Sequence, residues 1–278
     1  MRVLLSEGSS LTARETVTTL GPHLHDLQVL DPDPFCLARW SRWVRRVHQC
    51  PSAGRDPLGY LDVVRRLLDN EGYDVLLPTH EQAWLFSVAR ERLGRRVGLA
   101  VAEPSAFARV ESKIEFARLL DQVGLRQPAW RIVEESTTVW TYPCYLKAPF
   151  STAGRGVRLV HNDAERARAL AELRRASAEL MVQAPADGIY CEVPALFDHG
   201  KLLAAHTSQQ RATGMGGSAA ARISVDHEQP RRDIERLGAY LDWHGGLTLD
   251  YLFDGTSPCL HRMQSAHRGA RQRGGEWC

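Results

Sequence analysis

The chain keeps lysine at three places, Lys113, Lys147 and Lys201, among 35 basic side chains, and uses arginine everywhere else. Lysine is a compact, flexible ammonium, whereas arginine is a wide planar fork. A site that needs a point charge against a phosphate oxygen selects the first. Lys147 stands directly before Ala148-Pro-Phe-Ser151-Thr152-Ala-Gly154-Arg155-Gly156-Val157. These side chains are small, and Gly154 and Gly156 let backbone N–H groups approach a ligand closely. Arg155 adds a charge between them. A lysine followed by such a loop can cradle a phosphate. The other reading is an ordinary hairpin with a loose tip. It is not a P-loop, which needs a helix and Gly-Lys-Ser/Thr.

The elements around the loop give it a frame. Tyr142, Cys144 and Leu146 alternate, so Tyr142 to Lys147 reads as a short buried strand, and Val157 to Val160 as its return. Upstream, Phe116, Leu119, Leu120 and Val123 form a helical apolar stripe ending at Gly124, with Pro128 beyond. Lys113 sits in the first turn of that helix, an unfavourable place for a cation that has only a structural role. Downstream, Leu180 to Gly188 reads as an apolar strand running into a turn. Cys191 to Phe197 and Leu202 to His206 read as strands joined by Asp198-His-Gly-Lys201, which makes Lys201 a solvated turn residue.

Two further groups could do chemistry. Arg211 and Arg222 flank the small-residue run Thr213-Gly-Met-Gly-Gly-Ser-Ala-Ala-Ala. Arginines on flexible backbone suit a transferred phosphoryl group or a carboxylate; the alternative is a mobile surface loop with solvated arginines. Trp243 to Tyr251 reads as an inner strand whose Asp250, alternating with Thr248, can face a metal, because a buried Asp needs a cation or a donor.

This order resembles the ATP-grasp superfamily: helix-start Lys, strand-end Lys, glycine-rich flap, Gln-containing hinge strand, hairpin, Gly-rich arginine segment, then Leu249-Asp250-Tyr251. The nearest flavour is its carbamoyl-phosphate-synthase-like and carboxylate–amine ligase branch. The resemblance covers the whole chain. It implies an α/β protein: an N-terminal parallel-sheet, Rossmann-like domain over 1–103, then an ATP-grasp module over 104–278 with mostly antiparallel sheets and an ATP-binding lid over 125–185. It implies ATP and Mg²⁺ as cofactors and small-molecule carboxylate and amine substrates, and it allows a homodimer. By position, nucleotide contacts fall on Lys113, Lys147, Ser151, Thr152, Gly154, Arg155 and Gly156, with the adenine read by Gln183 and Ala184. Arg211 and Arg222 take the catalytic arginine roles and Asp250 the first magnesium carboxylate. Where the family has a ribose-holding Glu, this chain has Tyr190, with Glu192 on the same strand face. The implied activity is ATP-dependent carboxylate–amine ligation through an acyl phosphate; the alternative is a nucleotide-binding pseudoenzyme lacking the second metal carboxylate.

Composition excludes other classes. A net charge of +2 gives no pull toward nucleic acid or membranes. No stretch reaches the roughly 20 apolar residues of a membrane span. The six cysteines show no C-x-x-C pair and no secretory framework, and Met1 to Glu7 is too short an apolar run for a signal peptide, so the chain reads as cytoplasmic and reduced.

The first 103 residues alternate strand and helix, which means a parallel sheet covered by helices. Strands are expected at Val3 to Leu5, Leu27 to Leu30, Asp74 to Leu77 and Val97 to Val101, and helices after Gly8-Ser-Ser10, at Pro57 to Asn70 and at Glu81 to Leu93. Gly8-Ser9-Ser10 lacks the G-x-G-x-x-G of a dinucleotide site. Thr79-His80-Glu81 ends a buried strand at an edge where ligands bind open α/β sheets, or Thr79 is a helix N-cap.

The other end departs from the family. After Asp250 the family places a second carboxylate and an Asn on the next strand, in Glu-x-Asn-Pro-Arg. Pro258 to Cys278 shows no strand pattern and no acid at the required place. Read one base out of register, Leu260 to Cys278 is compatible with Tyr-Ile-Glu-Cys-Asn-Pro-Arg-Thr-Val-Glu-Pro-Gly-Asn-Ala-Ala-Ala-Ser-Gly, where Met263-Gln264 forces Cys and Trp277-Cys278 forces Gly. The expectation is that the stretch from Leu260 on is a frameshift product, natural or from sequence error. The competing reading is a basic tail for nucleic acid or an acidic partner.

Overall fold

The computed structural model describes residues 1–94, 96–134, 139–150, 156–213 and 219–265. It divides into two compact units, one built mainly on Met1–Pro104, the other on Ser105–Trp243 and Leu247–Gln264. No helix among the described residues is long and apolar enough to cross a membrane.

In the first unit, strands β1 (Arg2–Leu5), β2 (Asp26–Asp31), β3 (Val44–Gln49) and β4 (Val75–Leu77) form a parallel sheet in the order β3-β2-β1-β4. Helices α1 (Leu11–Leu20), α2 (Pro57–Glu71), α3 (Gln82–Val88) and α4 (Arg90–Leu93) complete it. Successive side chains of a strand point to opposite faces. Leu4 and Leu30 therefore join Tyr60, Val64, Leu76 and Phe86 in one core, while Val3, Leu5 and Val29 join Val17 and Leu27 in another. Burial on both faces is what a parallel sheet requires.

Three expectations for this unit are corrected. Val97 to Val101 is no strand; only Gly98 bridges to Val75. The fourth strand is β3 instead, an edge strand whose Arg45 and Arg46 face solvent, which hid it from an apolar-pattern reading. The helix over 81–93 breaks at Ala89 into α3 and α4. Thr79 is not an N-cap: Glu81 holds that place, and buried Thr79 donates from Oγ1 to Glu7 Oε1 (2.9 Å) and from its N–H to Ser6 Oγ (3.0 Å).

The N–H donors of the turn after β1 already have partners within the unit. The Gly8 N–H donates to Asp31 Oδ2 (2.8 Å), and the Ser9 and Ser10 N–H groups donate to Glu7 Oε2 (3.1 Å each). Two carboxylates occupy the donors a phosphate would use. Burial pushes the Asp31 carboxyl up, against the pull of its bonds from Asp33, Gly8 and Ser9.

His48 on β3 gives the unit a pH dependence. It is buried, with Nε2 2.6 Å from Gln28 Oε1 and 3.1 Å from Tyr73 Oη. Burial pushes its imidazole below the ordinary 6.5. The unfolded chain then binds a proton that the folded unit refuses, so this contribution is fully present above 6.5 and lost as pH falls below it. The urea midpoint of the first unit is expected to fall between about pH 7.5 and about pH 5.5, and His48→Gln is expected to flatten that fall.

In the second unit, helices α5 (Pro104–Glu111) and α6 (Lys113–Gln122) lead into a sheet of β5 (Trp130–Ile132), β6 (Cys144–Lys147), β7 (Val157–Val160) and β8 (Met181–Gln183), with α7 (Asp163–Leu173) between β7 and β8. The order is β5-β8-β6-β7, all antiparallel. Leu146, Val160, Leu180 and Val182 pack with Ala169 and Leu173 of α7. A six-stranded sheet runs β12-β11-β9-β13-β14, with β10 on β9, from β9 (Ile189–Asp198), β10 (Lys201–Ala205), β11 (Ser208–Thr213), β12 (Ala219–Ser224), β13 (Gly245–Phe253) and β14 (Pro258–Ser265). Helix α8 (Glu228–Tyr240) precedes β13.

The stretch from Pro258 is a strand, contrary to the sequence expectation. Cys259 and Leu260 are buried, and the Leu260 N–H donates to the Arg126 carbonyl (3.0 Å). Backbone pairing along β13 makes this strand without help from an alternating pattern. Residues 266–278 lie outside the described residues.

Two glycines fix the six-stranded sheet. A Cβ on Gly188 (φ +137) would stand 2.8 Å from the Phe253 backbone, so the start of β9 can lie against the end of β13 only with glycine. A Cβ on Gly238 would stand 2.1 Å from the Phe197 ring, where α8 packs on β9. Gly238→Ala is expected to cost about 1–3 kcal/mol in urea unfolding through overpacking.

Candidate functional site

The described site residues fall in two groups of the second unit. The first is built on β6 and β8. Their antiparallel register sets Tyr145 opposite Gln183 and Lys147 opposite Met181. Lys147 is 4% exposed, and its Nζ donates to Gln183 Oε1 at 2.5 Å and stands 5.4 Å from the Tyr145 ring centre. Burying an ammonium is costly without such partners. Gln183 is itself 4% exposed, so the pair is held within the protein.

Helix α6 brings the backbone of the second lysine to the chain just past Lys147. Ser112 caps it, accepting from the Glu115 N–H, and Gly124 (φ +62) follows its end. The Lys113 N–H donates to the Pro149 carbonyl (2.9 Å), tying the helix start to the chain just past Lys147. The Ala148 N–H donates to the Gly156 carbonyl (2.8 Å), closing the neck of the β6–β7 hairpin. Ser151, Thr152, Gly154 and Arg155 lie outside the described residues. The Ala184 N–H donates to the Ala129 carbonyl (2.8 Å), so what Ala184 can offer a base is its carbonyl. Lys201 is exposed at the β9–β10 turn.

The second group crosses the six-stranded sheet. Asp250 on β13 is 2% exposed. The Tyr190 hydroxyl, from β9, hydrogen-bonds it, and burial together with the Asp250 charge pushes the phenol well up. Glu192, two residues on along β9, pairs through Oε2 with Arg222 Nη2 at 2.9 Å. Ser208 Oγ of β11 lies 3.4 Å from Glu192 Oε1. The Arg222 guanidinium stands over the Tyr190 ring at 5.4 Å. Burial pushes the Glu192 carboxyl up; Arg222 pulls it down and Asp250 pushes it up. Arg222 Nη1 is buried and has no hydrogen-bonding partner among the described residues. Leaving a charged donor unmet costs about 1–3 kcal/mol, so this edge of the guanidinium calls for an acceptor.

The arginine expectation is corrected in one respect. Arg222 stands on strand β12, opposite Gln210 of β11, and not on a loop. Arg211 is on β11 and exposed, with no ion pair to this group among the described residues. The sequence reading named Glu192 but missed its bond to Arg222, and it missed the tie from Tyr190 to Asp250 and the part of Ser208. Tyr251 turns to other partners: its hydroxyl lies 2.9 Å from His227 Nδ1.

The chemistry of these groups fits a polyphosphate with a divalent cation. The first group offers ammonium charge, and the second offers hard carboxylate oxygens and a guanidinium edge.

No family model matches the sequence, and no curated protein matches it. Solved structures do match the fold. The L-amino acid ligase from Bacillus licheniformis superposes with a TM-score of 0.72 at 16% identity, over 96% of this chain and 67% of that one. The biotin carboxylase domain dimer of Hydrogenobacter thermophilus 2-oxoglutarate carboxylase, in complex with MgADP, ADP and bicarbonate, gives 0.77 at 13%, over 97% and 65%. The N5-carboxyaminoimidazole ribonucleotide synthetase from Thermus thermophilus gives 0.70 at 18%, over 95% and 71%. The chain thus spans about two thirds of the length of these structures. At such identities the likeness is one of fold, and the parallel sheet followed by antiparallel sheets is that of the ATP-grasp enzymes: this chain has the ATP-grasp fold.

Proposed function

We propose that the chain binds ATP and belongs to an ATP-dependent ligase that joins a carboxylate to an amine. The observation that carries this reading is Lys147, a buried lysine clasped by Gln183 at the neck of a small-residue hairpin, with the start of α6 tied to the same neck. Lys147 and Lys113 neutralise the phosphates and hold the nucleotide in place. Arg222 offers its Nη1 donor to a phosphoryl oxygen. Asp250 would hold Mg²⁺, beside Glu192, whose carboxyl already feels the Asp250 charge. Bound there, the ion would supply charge neutralisation for the transferred phosphoryl group. ATP gives its terminal phosphoryl group to the substrate carboxylate. The amine nitrogen then bonds to the acyl carbon, the carbon–oxygen bond to phosphate breaks, and phosphate leaves.

A second reading has support of its own. Pro258–Ser265 contains no Asp or Glu, so β14 gives no second metal carboxylate. On that reading the chain binds nucleotide without turnover, and the stretch from Leu260 on is the frameshifted copy of a Glu-x-Asn-Pro-Arg strand. The coding DNA tests the frameshift: codons that cannot give the alternative frame exclude it.

Incubation with Mg·ATP, each common amino acid in turn and hydroxylamine separates the readings. The ligase reading expects ADP and a hydroxamate with at least one carboxylate. ATP binding without ADP in every mixture supports the second reading. Neither binding nor ADP removes both.

A further inference from the structure

The Arg222 group has a feature that ligand binding alone does not require. Strands β12 and β9 are not neighbours; β11 lies between them. Arg222 therefore reaches across β11 to meet Glu192. Its own partner on β11 is Gln210, and Ser208, which stands opposite both Glu192 and Ser224, turns its hydroxyl to the same Glu192 carboxylate. The guanidinium is fixed in two ways: Nη2 by the Glu192 carboxylate at 2.9 Å, and one face by the Tyr190 ring at 5.4 Å. Tyr190 is itself tied by its hydroxyl to Asp250, and Glu192 receives Ser208 Oγ. Of the donors left on the guanidinium, Nη1 is buried and has no hydrogen-bonding partner among the described residues. An arginine held by one edge and one face keeps a single geometry, and its other edge is set before a ligand arrives. Preorganised donors of this kind need no rearrangement when the charge they serve is bound.

We infer that Glu192 and Tyr190 are positioning residues that hold Arg222 as a preset donor for a phosphoryl oxygen of the bound ligand. The inference rests on the nucleotide reading above and adds to it. Glu192 acts through Arg222 and does not itself touch the phosphate. Its charge is retained in the complex, because the edge it uses is not the edge the ligand uses. A carboxylate that merely competed with the phosphate for Arg222 would act in the opposite direction.

The test is a double-mutant cycle on the full chain, read by calorimetric titration with Mg·ATP and, separately, with inorganic pyrophosphate. Glu192→Gln is expected to weaken both ligands about tenfold, as loss of a charged hydrogen-bonding partner does. Arg222→Gln is expected to weaken them by at least as much. In the double variant the second change is expected to add nothing, since Glu192 has no arginine left to position. Arg222→Lys keeps the charge but loses the second edge, and is expected to match Arg222→Gln. Tyr190→Leu removes the ring that backs the guanidinium and is expected to weaken both ligands; unchanged affinity in it removes Tyr190 from the arrangement.

Tighter binding in Glu192→Gln overturns the inference, because Glu192 then competes for Arg222. Additive losses overturn it as well, because Glu192 then acts by another route. If wild type binds ATP and Glu192→Gln binds it equally, the inference falls and the nucleotide reading stands. Pyrophosphate binding with the expected cycle, but no ATP binding, keeps the Arg222 arrangement and removes the nucleotide. If wild type binds neither ligand, both fall.

Discussion

Lys147→Met is expected to lower the affinity for ATP about a hundredfold or more, with or without Mg²⁺. Removing one partner from a buried, hydrogen-bonded charge contact costs about 2–5 kcal/mol, and each 1.4 kcal/mol is about tenfold. The methionine fills nearly the same volume, so the core of Leu146, Val160 and Val182 around β6 keeps its packing. It leaves Gln183 Oε1 without its donor, in a residue that is 4% exposed, and urea stability is expected to fall by about 1–3 kcal/mol. Lys147→Arg is not expected to restore binding. A planar fork is wider than the ammonium and cannot sit between the Tyr145 ring and Gln183 in the same way. Calorimetric titration of the three proteins reads the affinity, and urea unfolding separates it from stability. Equal affinities in wild type and Lys147→Met would mean that the lysine is a structural plug for Gln183.

Asp250→Asn carries the second large effect. Its expected result is specific: binding of ATP without metal persists, and the gain on adding Mg²⁺ disappears. Hard divalent cations take carboxylate oxygens, and an amide oxygen is a far poorer ligand for them. The Tyr190 hydroxyl can still donate to the amide oxygen, so the β9–β13 contact and the fold survive. Loss of the neighbouring charge also lets the Glu192 carboxyl relax toward its ordinary range, since Asp250 is one of the causes that push it up. Thermal unfolding with ATP, at matched ionic strength with and without Mg²⁺, reads the difference by mass action. A metal-dependent shift of unchanged size in Asp250→Asn would place the cation elsewhere.

The elements that carry the proposed nucleotide residues were legible in the sequence because local chemistry specified them. Helix α6 announced itself by an apolar period and a glycine after its end, to which the structure adds a Ser112 cap. The β6–β7 pair showed as two apolar strands around a small-residue loop. Other elements were hidden for physical reasons. Strand β3 lies at a sheet edge, where Arg45 and Arg46 face water, so it lacks the apolar run of a buried parallel strand. The Ala-rich run before Arg222 has no period, and β12 forms because β11 offers it backbone partners. The pairing of Glu192 with Arg222 spans a strand that intervenes between them, and no spacing rule along the chain reaches that far. Thr79 looked like a cap because Thr before a helix often is one; here Glu7 claims its hydroxyl. Strand β14 is the reverse case: its sequence pattern is poor, and its pairing is decided by the neighbouring strand.

The claim on which the rest depends is that Lys147 marks an ATP site. The most direct measurement is a calorimetric titration of the full chain with ATP, run on wild type and on Lys147→Met under the same conditions. The account predicts saturable binding of ATP to wild type and a loss of about a hundredfold or more in the variant. No saturable binding to wild type, or binding of equal strength to both proteins, contradicts it.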